Sequence, residues 1–169
     1  MAFEKKSRRV LKQVEATMDS GSSVTVVPVD CCDEYKTRPS QASERGVSYT
    51  AAGGEKIDDL GCRKLDAITE EGERCSLEAS VAKVKKALVS VAKVVDKGNI
   101  VRFGPNANDN YILNLKSQKK TKIKRKGDTF KLMLSILEPE YEQKSIRALE
   151  TIKEESNKNM QNPNDRSNI

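Results

Sequence analysis

The run Ala16-Thr17-Met18-Asp19-Ser20-Gly21-Ser22-Ser23 holds the residue types of carboxylate chemistry at the spacing of a tight turn. An apolar, strand-like approach delivers Asp19 to a turn at Ser20-Gly21. The glycine lets the backbone come close to a second copy of the same loop, and a serine hydroxyl can lock the loop by hydrogen bonding. The carboxylate then projects into a cleft beside an identical one. Two carboxylates about 3 Å apart cannot both ionise comfortably, so they share a proton. The ionised member takes a proton from water, the water attacks a carbonyl carbon, and the protonated member polarises the carbonyl oxygen. Such a dyad titrates as a pair. Asp-Ser/Thr-Gly occurs once in the chain, so one chain cannot supply both acids, and an isologous homodimer is the simplest source of the second. Val94-Val95-Asp96-Lys97-Gly98 imitates a second site, but a lysine stands where the hydroxyl residue belongs and the segment reads as a helix end.

Composition removes the competing chemistries. The 169 residues include no His, which excludes Ser-His-Asp and Cys-His catalysis, His-ligated metal and an imidazole pH switch. Cys31, Cys32, Cys62 and Cys75 form no Cys-x-x-Cys pair, so no metal and no cofactor is expected. The basic N-terminus lacks the apolar core of a secretory signal. The cysteines therefore read as reduced thiols of a cytoplasmic or nuclear protein. Neighbouring cysteines bridge only with strain, so Cys31-Cys32 read as ordinary thiols in a loop. Asp58-Asp59 reads as a solvated hairpin end, not a cation site. No stretch approaches the ~20 apolar residues of a membrane-crossing helix.

The elements that must carry Asp19 are mostly strands. Hydrophobic residues make up 36% of the chain, which suits a core of roughly 120 residues with charged ends. Val24–Val27 is β-branched and stops at Pro28. Val47–Thr50 and Lys56-Ile57 flank Ala51-Ala52-Gly53-Gly54, a hairpin signal roughly thirty residues beyond Asp19. Strands also read at Arg63–Thr69, Cys75–Ala79, Asn99–Phe103, Tyr111–Leu115 and Thr129–Leu134, the last two paired across a basic turn. Repeated short strands separated by turns predict an all-β barrel or sandwich. Val91–Lys97, followed by Gly98, has helical spacing with a C′ glycine and reads as the one short helix of the core. The division expected is a basic arm over residues 1–14 and a domain over 15–136. An amphipathic helix follows over 137–155, starting near Pro139 with a stripe of Tyr141, Ala148 and Ile152, and a disordered tail covers 156–169.

The net charge of +6 is concentrated in two segments. Residues 1–14 carry Lys5, Lys6, Arg8, Arg9 and Lys12 against Glu4 alone, and residues 116–126 carry six lysines and Arg125 with no acid. The rest of the chain is net negative. Such segments can contact nucleic acid through phosphates, although 116–126 has no interleaved aromatic residue to stack on bases.

Three blocks together resemble the retropepsin-like aspartic protease domain of copia-type retrotransposon Pol polyproteins. Met18–Ser23 is similar to the family's hydrophobic-Asp-Ser-Gly-Ala/Ser. Gly46–Ile57 looks like its flap hairpin. Ala87–Phe103 is similar to its block of two apolar residues, Ser-Val, a helix, a Gly and a strand ending in Phe. The likeness spans residues 15–134 in order. It implies a closed, mostly antiparallel barrel that pairs as a twofold homodimer and hydrolyses peptide bonds of a polyprotein. By carry-over Asp19 is the catalytic carboxylate, Ser20 ties the two active loops together and Gly21 permits the turn. Ala52, Gly53 and Gly54 form the flap tip over bound peptide. Ser22 replaces the commoner Ala and adds a hydroxyl beside the dyad, and Ser90 stands where many retropepsins have Gly. Two other functions compete: a catalytically silent dimer of the same fold acting as a binding module, and a small basic nucleic-acid-binding protein.

Overall fold

The computed structural model of the chain describes residues 7–160, with the side chains of 141–147, 159 and 160 outside that description. In chain order the elements are β1 (Val10–Asp19), β2 (Val26–Pro28), α1 (Gln41–Glu44), β3 (Ser48–Thr50), β4 (Lys56–Asp58), β5 (Cys62–Thr69), β6 (Arg74–Ala82) and β7 (Leu88–Ser90). Then come α2 (Val91–Asp96), β8 (Asn99–Arg102), β9 (Tyr111–Asn114), β10 (Lys120–Lys122), β11 (Lys124–Lys126), β12 (Thr129–Leu137) and α3 (Glu140–Met160). The chain divides after Glu138 into a β unit and a helical unit.

Six strands in the order β1-β7-β2-β6-β5-β12 close into a barrel when β12 pairs back onto β1. The expected mainly β fold, with a helix in the core unit and a helix at the C-terminal end, is therefore the fold of this chain. Four of the barrel pairings are antiparallel, while β1–β7 and β2–β6 are parallel. Closure leaves no edge among these six strands. The alternation of side chains explains which face is inside. On β5, Arg63, Leu65, Ala67 and Thr69 are buried. On β12, Leu132, Leu134 and Ile136 are buried, and Ala16 and Met18 of β1 join them. Two smaller sheets share no strand with the barrel, β10-β9-β8 and the hairpin β3-β4, and Val101 and Ile112 of the first pack against the barrel core. Helix α2 starts on Ser90, whose hydroxyl accepts the Lys93 N–H, and it ends at Gly98 with φ +81°, the left-handed geometry for which glycine is suited.

Several expectations need correction. Residues 10–14 do not belong to an arm: they are the first half of β1 and pair with Leu137–Leu134 of β12. Arg8 is also engaged, donating from Nη2 to Asp66 Oδ2 (2.9 Å) and from Nε to the Glu138 carbonyl (2.8 Å). Residues 1–6 lie outside the described residues. The strand after the Asp19 loop is shorter than expected, Val26–Pro28. A second short helix, α1, starts with a reciprocal Ser40–Ser43 capping box.

The basic segment is not a turn joining β9 to β12. It forms β10, paired with β9, and β11, paired with β12. The cause is Ile123, the single apolar residue within that run of cations. It is 1% exposed, and burying a side chain of that size is worth about 2 kcal/mol, enough to divert the chain between two sheets. Helix α3 runs to Met160, beyond the expected limit at residue 155. Leu149 and Ile152 on it are exposed. Residues 161–169, the remainder of the expected tail, lie outside the described residues, as does the side chain of Tyr141.

Candidate active site

Asp19 is the last residue of β1. β12 pairs along one side of β1 as far as Thr17, and β7 runs parallel on the other with Asp19 opposite Ser90. The chain then turns sharply. Asp19 Oδ1 accepts the Gly21 N–H at 2.8 Å, an Asx turn of the kind Asp favours. A Cβ built on Gly21 would lie 3.4 Å from that oxygen, so the glycine keeps the space beside the carboxylate open. Ser20 and Gly21 are exposed and Asp19 is half-buried. The Ser22 hydroxyl donates to the Val24 carbonyl at 2.6 Å, so it is used within its own loop.

Behind the loop sits a clasp that sequence reading undervalued. Ser90, fully buried, donates from Oγ to the Ser22 carbonyl at 2.6 Å, while its N–H donates to Thr25 Oγ1 at 3.1 Å. The same Oγ caps α2. One hydroxyl thus links the Asp19 loop, β7 and the first turn of α2. The far end of the loop is held by the Ser80 N–H, which donates to the Thr25 carbonyl at 2.8 Å. A Ser immediately before the helical run Val91–Asp96 was a readable N-cap signal. Its bond to Ser22 was not readable, because it joins residues distant in sequence.

Ala52, Gly53 and Gly54 form the exposed tip of the β3–β4 hairpin, as the spacing suggests. The tip closes through Gly54 N–H to the Ala51 carbonyl (2.8 Å) and Ala51 N–H to the Glu55 carbonyl (2.9 Å), with Gly54 at φ +84°. Among the described residues no hydrogen bond joins this tip to residues 19–22. The two groups of site residues therefore occupy separate segments of the β unit.

The stem of the hairpin is anchored by a residue expected at a solvated end. Asp58 is exposed, but Asp59 is buried and only 6% exposed. Its Oδ2 accepts from the Tyr49 hydroxyl, and its Oδ1 accepts from Ser40 Oγ (3.1 Å) and from the Gly61 N–H (2.8 Å). Burial alone would raise this carboxyl. The bonds from Tyr49, the Gly61 amide, Ser80 and Ser40 outweigh burial and hold it below the ordinary aspartate range. Tyr49 is pushed up, first by burial and then by the carboxylate it serves.

A groove of about 830 Å³ runs past Thr25 of the Asp19 loop, Tyr49 and Asp59 of the hairpin stem and Ser80 of β6, reaching Val94 of α2 and Ile112 of β9. Asp19 does not line it, so the groove adjoins the loop from behind and is not the carboxylate's own cleft. Among the described residues no group of three His, Cys, Asp or Glu is placed to hold a metal ion, and no helix is long and apolar enough to cross a membrane. Comparisons of the chain with protein-family models, with curated proteins and with solved structures find no match.

Proposed function

We propose that the chain is an aspartic endopeptidase of retropepsin type that acts as a homodimer, each subunit contributing Asp19. The observation that carries this reading is the seating of Asp19. A lone carboxylate ends a barrel strand, enters a glycine-containing turn and is backed by the buried Ser90 clasp. A dyad that shares one proton needs its carboxylates held to within a fraction of an ångström, and a loop fixed on both flanks supplies that rigidity. In the proposed reaction one Asp19 takes a proton from water, the other polarises the scissile carbonyl, and the hairpin tip at Ala52–Gly54 covers the peptide. Ser20 ties the two loops together across the dimer axis. No cofactor takes part. The substrate is a polyprotein segment, and the compartment is the cytoplasm or nucleus.

The purified chain is expected to cleave peptide libraries, to be blocked by pepstatin-type transition-state mimics, and to lose at least about 100-fold in turnover on Asp19→Asn. Unchanged cleavage in that variant overturns the assignment. Intact dimers without turnover at any pH select the silent binding module instead.

A second reading, nucleic-acid contact through residues 116–126, draws on aromatic neighbours that the linear sequence hid. Lys120 Nζ lies 4.3 Å from the Tyr111 ring centroid, and the Arg102 guanidinium lies 5.9 Å from the same ring. Against it, Lys119, Lys124 and Lys126 are engaged by Glu73, Glu70 and Glu15. Binding that ignores salt concentration would exclude it.

A further inference from the structure

Cys31 and Cys32 lie in the loop after β2, outside the carboxylate site. Their sulfurs are 3.5 Å apart and neither is in a disulfide. Two features bring them together. Cys32 has φ +60°, a left-handed backbone that a non-glycine residue seldom adopts. Arg63, buried at 6% exposure, donates from Nη1 to the Cys31 carbonyl at 2.6 Å and from Nε to Thr37 Oγ1 at 3.0 Å, which pins the loop to β5. Cys32 is fully buried in the barrel core, while Cys31 is partly exposed. One thiol can therefore meet a small solute while the other waits behind it.

We propose that Cys31-Cys32 is a dithiol oxidation site that takes hydrogen peroxide at Cys31 and resolves it with Cys32. The Cys31 thiolate attacks one peroxide oxygen, the O–O bond breaks and hydroxide leaves. Cys31 becomes a sulfenic acid, oxidised by two electrons, and the peroxide is reduced by two. Cys32 sulfur then attacks Cys31 sulfur. An S–S bond forms, the S–O bond breaks, and the departing hydroxide leaves as water with the Cys32 proton. Both thiol protons and both peroxide oxygens end in two waters. Closing 3.5 Å to a disulfide of about 2.0 Å between neighbours strains the bond, and strained disulfides are the easily reduced ones. The site is thus reversible by ordinary thiols.

The surroundings favour Cys31 as the first to react. The hydrogen bond from Cys32 lowers its thiol to about 7, with Lys12 and Arg63 assisting and burial and Asp30 opposing. Cys32 is pushed up by that same bond and by burial. Burial also raises Cys62, and it raises Cys75 to about 11. Cys31 should accordingly oxidise at least about tenfold faster than either.

The test treats the full chain with hydrogen peroxide, alkylates it under denaturing conditions and weighs its peptides. The expected peptide containing Cys31 and Cys32 has lost two hydrogens, takes no alkyl group, and recovers both thiols with dithiothreitol, while Cys62 and Cys75 are alkylated. In Cys32→Ser, Cys31 is expected to remain as a sulfenic acid that dimedone captures. Should that variant fail to fold, the wild-type result decides alone. Two alkyl groups on the peptide, over-oxidation of Cys31 to sulfinic acid, or a bridge between chains each overturn the proposal.

Discussion

The Asp19 loop and the β3–β4 hairpin both reverse the chain at glycine, yet they are held in different ways. The loop hangs between two barrel strands, and a buried hydroxyl fastens it from behind. The hairpin is a two-stranded sheet of three residues a side, a unit that is marginal by itself. Nothing lies within 4 Å of a Cβ placed on Gly53 or Gly54, whereas Gly21 faces the Asp19 carboxylate. The hairpin's order comes from its stem, where Asp59 accepts from Tyr49, Ser40 and the Gly61 amide. Under the proposed function this contrast would suit a fixed acid beneath a movable lid, because contact-poor segments open at the least cost in free energy.

The contrast can be broken in graded steps. Asp59→Ala should have the largest effect on stability. It strands the Tyr49 hydroxyl, the Ser40 hydroxyl and the Gly61 amide, and chemical denaturation should register a loss of about 3 kcal/mol. A loss below about 1 kcal/mol would mean that the stem is held by something else. Ser90→Ala comes next. It removes the Ser22 tether and the α2 cap together, and should cost about 2 kcal/mol, with peptide turnover falling more than dimerisation. If turnover is untouched, the clasp does not position Asp19.

A third step uses acid. Asp59 titrates lower in the folded chain than in the unfolded one, so the unfolded chain binds more protons in the interval between. The stability it contributes is fully present above about pH 4 and is lost as pH falls through the folded value. Melting temperature followed downward from pH 5 should decline less steeply in Asp59→Asn than in wild type, and identical slopes would remove Asp59 from the acid response. The smallest effect belongs to Gly53→Ala, where φ is not left-handed and the space is open. A stability change within about 0.5 kcal/mol is expected. Gly21→Ala, whose Cβ would touch Asp19 Oδ1 at 3.4 Å, should lower turnover more than Gly53→Ala does.

Where the chain's instructions are local, they were legible. The Val91–Asp96 helix with its C′ glycine, the alternating Cys62–Thr69 strand and the hairpin about Gly53-Gly54 each follow from a few neighbouring residues. Asp19 in its turn was equally plain, because an Asx turn is built by the aspartate and the residue two further on. Features formed by distant partners were not. Val10–Val14 looked like arm because β1 takes its order from Leu134–Leu137. Lys120–Lys126 looked like a charged turn because the burial of Ile123 depends on two sheets that the segment itself helps to finish. Asp59 looked solvated because Ser40 and Ser80 reach it from other parts of the chain.

The residue order alone determined that Asp-Ser/Thr-Gly occurs once in these residues, that they hold no histidine and that the backbone is mainly β, since these follow from residue counts and short-range preference. Only the tertiary structure decided that the barrel closes β12 onto β1, that Ser90 fastens the loop carrying Asp19, and that Arg63 pins the Cys31 carbonyl. Each of those contacts spans loops whose closure entropy is repaid only when the whole core packs at once, and no local window of sequence carries that sum.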